Sequence, residues 1–176
     1  KAELAARRVP IRSPPHQPVG ASWLEAAIRY FLLAARADST YLPAAMALGQ
    51  VVLDDHFGTE TLEALRQLRP ALDTTERDPA PFLLLGRLAF DADSYVTAHT
   101  GLQGYLARGG DTAVGFFEDA RALYALHRRA AAESSYYAGA TYASQAGDAL
   151  YRNDIGWIAD SAELQAYDTL TSPASR

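Results

Sequence analysis

The hydrophobic residues of this chain follow a helical period from about residue 22 to residue 170. They recur at intervals of three and four positions, as on one face of an α-helix, and few stretches alternate at period two. Glycine, proline and short polar runs divide the pattern into separate helices. We therefore predict an all-α fold of eight or nine helices, at about 22–38, 41–55, 59–69, 79–90, 94–108, 112–126, 128–145, 149–157 and 161–170.

The first of these helices has a clear start signal. Ser22 can accept a hydrogen bond from the first turn, and Glu25, three residues later, completes a capping box. Residues spaced at three and four share one side of a helix, and we expect that side to face the core. Its members are Trp23, Ala27, Phe31 and Ala34.

A leucine–glycine pair occurs inside two of the expected helices. Leu48-Gly49 lies in the second helix, and Leu85-Gly86 lies 37 positions further on. In each pair the leucine can face the core, while the glycine lets a partner helix approach closely. Pairs of short helices at a fixed period are typical of repeat proteins.

The spacing around these pairs resembles the tetratricopeptide repeat, whose first helix carries Trp-x2-Leu-Gly-x2-Tyr. The matching segments are Ala45-x2-Leu48-Gly49-x2-Val52 and Phe82-x2-Leu85-Gly86-x2-Ala89. The period is 37–38 rather than 34 residues and the late prolines are missing, so the repeat over 22–145 is degenerate. The resemblance implies antiparallel helix pairs stacked as a short tetratricopeptide-like α-solenoid. A plain helical bundle is the alternative.

The segments before and after the repeats have a different composition. Residues 1–20 contain prolines at positions 10, 14, 15 and 18 and arginines at 7, 8 and 12, which predicts an extended proline-rich arm. Such an arm is either a linker or a strap across a partner or across its own body. We divide the chain into this arm, repeats at 21–146 and a third segment at 147–176.

Composition limits the classes of function. The chain has no cysteine, which excludes disulfides, zinc–thiolate sites and cysteine nucleophiles. A net charge of −5 argues against a nucleic-acid partner, which usually needs a dense basic face. The longest apolar run, at 30–35, is too short to span a membrane. The chain opens on Lys1 without a starting methionine or signal peptide, so we expect it to be processed or truncated.

No group of residues predicts catalysis or metal binding. Asp54, Asp55 and His56 are consecutive, so their side chains would point in different directions from a helix. Ser134 and Ser135 lie in the middle of a helix, outside any nucleophile elbow, and there is no phosphate-binding loop. We therefore expect no cofactor, no metal and no enzymatic activity in this chain.

Stacked helix pairs leave an extended surface for partners, so the pattern predicts a protein–protein interaction scaffold or an accessory subunit. Aligning the two Leu-Gly pairs and adding the next unit predicts a groove lined by Gln50, Asp54, Arg87, Asp91 and Glu118. Tyrosines are frequent between 124 and 151, and most should pack between helices. The aromatic residues assigned to docking are Tyr136, Tyr137, Tyr142 and Trp157. We expect Arg87→Ala to weaken partner binding and to leave the fold intact.

The stretch Gly156-Trp157-Ile158-Ala159-Asp160 resembles the signature of the bacterial GWxTD domain family, with Ala159 where the family has threonine. Flanking residues agree, namely Arg152-Asn153-Asp154, Glu163, Tyr167 and Leu170. The rest of such a domain would lie beyond Arg176. Trp157 and Ile158 would then anchor the following domain, with Asp160 or Ser161 capping the next helix.

This second resemblance also implies a location and a setting. Members of the family are bacterial envelope proteins, so we expect the periplasmic side of the cell envelope, with a cytoplasmic location as the alternative. Partners would then be proteins, including subunits of a larger, membrane-bound assembly. The alternative function is an enzyme or enzyme-associated protein whose catalytic part lies in a missing C-terminal domain.

Overall fold

The helices of this protein are short and follow one another closely along the chain. The computed structural model describes residues 23–54, 60–73, 76–142 and 144–170, and within these ranges it contains nine α-helices and no strand. They are α1 (Trp23–Ala37), α2 (Leu42–Asp54), α3 (Thr61–Ala71), α4 (Ala80–Asp91), α5 (Tyr95–Ala107), α6 (Thr112–Ala125), α7 (Arg129–Ala140), α8 (Gln145–Ile155) and α9 (Ser161–Thr169). The predicted all-α fold is confirmed.

Neighbouring helices pack in antiparallel pairs. Each helix contacts the next one along the chain, and α2, α4, α6 and α8 also contact one another in that order. This places α2, α4, α6 and α8 side by side as the first helices of successive pairs, which is the arrangement of a tetratricopeptide-like solenoid. We call the surface that these four helices share the first-helix face.

Two hydrophobic cores hold the stack together. The larger core runs from α1 to α6, and four of its leucines have no more than 1% of their surface exposed: Leu48, Leu68, Leu88 and Leu102. Each of these leucines belongs to a different helix, and burying each one contributes roughly 1.5–3 kcal/mol. The smaller core joins α6 to α8 through Phe117 and Tyr151, with Tyr136 of α7 packed against them.

The glycines of the two Leu-Gly pairs lie at close contacts between helices. A Cβ atom at Gly49 would lie 2.8 Å from Cδ1 of Leu88, and one at Gly86 would lie 2.6 Å from Cγ of Leu102. Both leucines are almost completely buried. A larger residue at either position would therefore push the helices apart or displace a core side chain.

The inner face of α1 differs from the sequence-based expectation. Trp23 is 83% exposed and Ala34 is also exposed, whereas Ala26, Ile28 and Ala35 are buried. Trp23 and Ile28 are separated by about 140° around the helix, so burying one turns the other outward. The helix lies at the end of the stack, where α2 and α3 cover one side of it. The predicted face was therefore wrong for Trp23 and Ala34.

The boundary between α7 and α8 also differs from the prediction. We expected helices at 128–145 and 149–157, but α7 ends at Ala140 and α8 begins at Gln145. Ser144 starts α8, because its hydroxyl accepts a 3.0 Å hydrogen bond from the backbone N–H of Gly147. The same hydroxyl is hydrogen-bonded to the carboxylate of Asp111, which caps α6. The cap at Ser144 begins a new helix inside the range that we predicted as one helix.

Two further helix ends can be compared with the sequence. Asp160 caps α9 as one of two expected candidates, and its carboxylate accepts bonds of 2.8 Å from the N–H groups of Ala162 and Glu163. We expected the third helix to end at about residue 69, before Pro70, but α3 continues through Pro70 to Ala71. In the last turn of a helix a proline removes one hydrogen bond, but little helix follows for it to disrupt.

Several predictions fall outside the part of the chain that the structure describes. They include the proline-rich arm at 1–20, the cap at Ser22 and the Asp55-His56 pair. The division into 1–20, 21–146 and 147–176 stays a prediction. Among the described helices, none is both long enough and apolar enough to cross a membrane.

Candidate partner-binding site

A charged network joins α4 to α6 on the first-helix face. Glu118 of α6 is buried, and its Oε1 accepts a 2.8 Å bond from Nε of Arg87 on α4. Its Oε2 accepts a 2.8 Å bond from Nη1 of Arg121, one turn further along α6. Two guanidinium groups therefore satisfy one buried carboxylate, which would otherwise be costly to take out of water.

The network gives Arg87 a structural role in addition to its place on the surface. Its side chain is 37% exposed, so part of it remains available to a partner. Arg87→Ala would, however, leave Glu118 with one cation in place of two. We therefore revise the expectation that this substitution leaves the fold intact, because removing one partner of a buried charge is destabilising.

The other expected groove residues are exposed and lie towards the ends of their helices. Gln50 and Asp54 are exposed near the end of α2, where Nε2 of Gln50 donates a 3.2 Å hydrogen bond to Oδ1 of Asp54. Asp91 is exposed at the last position of α4. The structure thus brings Arg87 and Glu118 together and leaves Gln50, Asp54 and Asp91 at the helix ends.

An open pocket of about 560 Å³ lies next to the charged network, between α4, α6, α7 and α8. We call it the tyrosine pocket; it is lined by Phe90, Ala120, Arg121, Tyr124, Ala125, Ala132, Glu133, Tyr136, Tyr137 and Asp154. Its volume falls within the range of small-molecule and cofactor sites. Arg121 belongs to both features, so the pocket and the network form one continuous surface.

The walls of the pocket are held in place by contacts behind them. The guanidinium of Arg121 lies over the ring of Phe90, at 4.4 Å from the ring centroid. Tyr136 packs edge-on against Tyr151 with ring centroids 4.9 Å apart, and the hydroxyl of Tyr151 donates a 2.9 Å bond to the carbonyl oxygen of Tyr136. Edge-to-face aromatic pairs are favourable by about 0.5–1.5 kcal/mol. The floor of the pocket is therefore part of the smaller core.

Two tyrosines at the edge of the pocket are largely exposed. Tyr124 is 63% exposed and Tyr137 is 70% exposed, although both sit on well-formed helices. The guanidinium of Arg129 lies 5.9 Å from the ring centroid of Tyr124, at the outer limit of a cation–π contact. Exposed aromatic rings on rigid helices can bury a large area against a partner at a low entropic cost.

One polar pair of the pocket joins α7 to α8. The hydroxyl of Tyr136 donates a 2.9 Å hydrogen bond to Oδ2 of Asp154. Burial raises the pKa of Tyr136 well above its usual value, and the hydrogen bond to Asp154 raises it further. Tyr136 therefore stays protonated at neutral pH and acts as a fixed donor to a carboxylate.

The remaining predicted docking aromatics lie outside the pocket. Tyr142 stacks on Phe116 with ring centroids 6.2 Å apart, in the turn after α7. Trp157 and Ile158 occupy the turn after α8 and are 83% and 89% exposed. Of the four predicted aromatics, the pocket contains Tyr136 and Tyr137.

A second polar cluster lies between α5 and α6. Asp119 is almost completely buried, and its two oxygens lie 2.6 Å from Nδ1 of His99 and 2.9 Å from Nε2 of Gln103. Because both partners come from α5, the cluster holds α5 against α6. Within the described ranges, no group of three or more acidic or histidine side chains could hold a metal ion.

Sequence reasoning missed several residues of the site. Arg121 lies three positions after Glu118 on the same helix, so the rule for neighbouring charges on a helix could have identified it. Phe90, Glu133 and Asp154 come from three separate helices. They meet only because of the way the pairs stack, and one sequence carries no signal for that.

The comparisons with known proteins support the fold. No model of a known protein family matches the chain, and no curated protein matches it. The crystal structure of MamA, a protein of tetratricopeptide-repeat fold, aligns with a TM-score of 0.57 and 16% sequence identity. The alignment covers 82% of this chain and 90% of the MamA chain. At this identity the likeness shows the fold alone, and it confirms the tetratricopeptide-like solenoid.

Proposed function

We propose that this chain is a non-enzymatic protein-interaction scaffold that binds a protein partner on the first-helix face. The observation that carries the proposal is the tyrosine pocket, with Tyr124 and Tyr137 exposed on rigid helices beside a buried charged network. Tyrosine and arginine are the residue types most enriched where proteins bind tightly. The tetratricopeptide-like fold supports the proposal, since stacked helix pairs expose an extended binding surface.

The polar chemistry of the pocket agrees with a binding role. Arg121 is paired with Glu118, and Tyr136 is bonded to Asp154. Each of these groups already has a structural partner, whereas an acid–base catalyst needs a group free to exchange a proton with substrate. The surface is therefore built to present shape, aromatic area and fixed charges.

The scaffold role can be tested by comparing partners of three proteins. Affinity capture from the source organism would use the wild-type chain, a Tyr124→Ser/Tyr137→Ser variant and Tyr142→Ser as the matched control. We expect proteins that the wild type and the control capture equally to be depleted at least tenfold with the double variant, because two anchoring rings are lost. Identical sets of captured proteins for all three would show that the pocket is not the binding surface.

We further propose that Trp157 and Ile158 anchor a neighbouring domain or subunit, as expected for the start of a GWxTD-like segment in an envelope-associated assembly. Their high exposure supports the proposal, since large apolar side chains at a turn gain free energy when a partner covers them. The test is to fractionate cells that produce the wild type or Trp157→Ser. We expect less of the Trp157→Ser protein than of the wild type in the membrane fraction. Recovery of both proteins in the soluble fraction alone would contradict the proposal.

A further inference from the structure

The tyrosine pocket brings aromatic rings and carboxylates together around one opening. Tyr124, Tyr136 and Tyr137 supply phenol rings, and Glu133 and Asp154 supply carboxylates. Both kinds of group attract cations, the rings through the negative charge of their faces and the carboxylates through their full charge. We infer that this pocket binds an arginine side chain of the protein partner. The inference rests on the proposed function and names the chemistry of that partner.

The carboxylates of the pocket are not paired with cations of the protein itself. Neither Glu133 nor Asp154 forms an ion pair with any residue in the described part of the chain. Oδ2 of Asp154 accepts a bond from the hydroxyl of Tyr136, which is a neutral donor. A cation brought by a partner would therefore complement both carboxylates.

The arginine that lines the pocket does not cancel these charges. Nη1 of Arg121 is bonded to Oε2 of Glu118, and its guanidinium lies over the ring of Phe90. Arg87, which also bonds Glu118, is not among the residues that line the pocket. If Arg121 and Glu118 are taken as a neutral pair, the lining keeps the two negative charges of Glu133 and Asp154.

The fold holds the rings and the carboxylates on the same wall. Glu133, Tyr136 and Tyr137 are spaced at three and four positions along α7, so they share one side of that helix. The 2.9 Å bond from Tyr136 to Asp154 brings the acid of α8 to the same place. A long side chain that enters the pocket would therefore meet an aromatic ring and a carboxylate together.

The shape of the guanidinium favours arginine over lysine. It is planar and weakly hydrated, so it can lie flat on a ring while its several N–H groups reach carboxylates, whereas the lysine ammonium is a strongly hydrated point charge. The protein packs its own arginines in this way. Arg121 lies 4.4 Å from the ring centroid of Phe90, and Arg108 lies 3.6 Å from that of Phe82.

The test selects binders of the full chain from a displayed library of short random peptides. We expect the selected peptides to share an arginine at one position. Replacing that arginine with citrulline keeps its shape and removes its charge, and should weaken binding at least tenfold. Lysine at the same position should give an intermediate affinity. Added salt should weaken the arginine peptide and leave the citrulline peptide unchanged.

A pair of protein variants locates the effect in the pocket. Glu133→Gln/Asp154→Asn should bind the arginine and citrulline peptides with nearly equal affinity, because the carboxylates that distinguish them are gone. The matched control, Asp54→Asn/Glu60→Gln, makes the same change in net charge at residues outside the pocket lining. It should keep the tenfold preference. Loss of the preference in the control, or its survival in the pocket variant, would overturn the inference.

The selection separates this inference from the scaffold function. Selected peptides without a shared arginine, or equal affinity of the wild type for arginine and citrulline peptides, would overturn the inference. If such peptides still fail to bind Tyr124→Ser/Tyr137→Ser, the pocket remains the binding surface and the scaffold function survives. Peptides that bind this tyrosine variant as tightly as the wild type would count against both.

Discussion

At the scale of single residues, α6 holds two adjacent buried carboxylates that serve different neighbours. Glu118 faces the arginines of the first-helix face, while Asp119 faces His99 and Gln103 of α5. Consecutive residues point about 100° apart around a helix, so one helix can bond in both directions. Glu118 and Asp119 therefore link α6 to α4 and to α5 at adjacent positions along the helix.

Asp119→Ala should therefore be strongly destabilising. It removes both acceptors from a site that is 1% exposed and leaves His99 and Gln103 without their partner. We expect a loss of about 3 kcal/mol in the free energy of unfolding, measured by urea denaturation. Asp119→Asn should lose less, and the exposed control Glu133→Ala should change stability by less than about 0.5 kcal/mol. Equal losses for Asp119→Ala and Glu133→Ala would contradict this role.

The tyrosines of the smaller core predict how stability depends on alkaline pH. Burial raises the pKa of Tyr136 and of Tyr151 above the ordinary value of about 10. The unfolded chain therefore releases these protons at a lower pH than the folded chain does. Their contribution is complete below about pH 10 and is lost as the pH rises towards the folded values.

The expected result is a free energy of unfolding that falls steeply above about pH 10, and a shallower fall for Tyr136→Phe. Urea denaturation at several pH values would measure the slopes. Phenolate absorbance of the folded protein provides an independent check, because the buried tyrosines should resist titration until the fold is lost. A Tyr136→Phe slope equal to that of the wild type would show that the burial of this phenol has no energetic consequence.

At the scale of elements, close packing between helices depends on glycine. Beside the contact between Gly86 and Leu102, Gly101 of α5 meets the backbone of α4, where a Cβ atom would lie 3.1 Å from the amide nitrogen of Gly86. The two helices therefore pack almost backbone to backbone. Glycine is a poor helix former, so its presence here reflects the space available and not local propensity.

Gly86→Ala should destabilise the protein even though alanine favours helix by about 1 kcal/mol. The new methyl group would overlap Leu102, which is 1% exposed and has no space to move into. We expect a net loss of about 1–3 kcal/mol by thermal or urea unfolding. The matched control is Gly156→Ala, at an exposed position with helical backbone angles, which should be neutral or slightly stabilising. A stabilised Gly86→Ala would refute the packing argument.

The sequence predicted elements well because helical periodicity is a local property. It failed at Trp23, where the inner side of α1 depends on the neighbours present at the end of a stack. It failed at Ser144, which begins α8 and is bonded to Asp111, a residue far away in the chain. Arg87 and Glu118 could be placed together from repeat register alone, whereas Asp154 beside Tyr136 required the packing of α7 on α8.

At the scale of the whole molecule, stability is divided between a larger core that runs from α1 to α6 and a smaller one at α6 to α8. In a stack of this kind each helix pair interacts mainly with its neighbours, so the ends depend on fewer contacts than the middle. The candidate site lies where the two cores meet, since its residues come from α4, α6, α7 and α8. The shape of the candidate site therefore depends on the packing of both cores.

The last helix, α9, is held to the stack by few contacts. No residue of α9 is buried, and one side-chain link to α8 is a pair of bonds of 2.6 and 2.8 Å from Arg152 to Asp168, both well exposed. Exposed ion pairs contribute about 0–1 kcal/mol and are screened by salt.

The stability of α9 at the end of the stack should consequently depend on ionic strength. We expect amide hydrogen exchange in α9 to accelerate several-fold between about 0.01 M and 1 M salt, where the screening length shrinks from about 30 Å to about 3 Å. The exchange of α4 and α5 should stay unchanged, because apolar contacts hold them. Arg152→Gln at low salt should reproduce the high-salt rates. A salt-insensitive α9 would mean that something other than charge keeps the chain end in place.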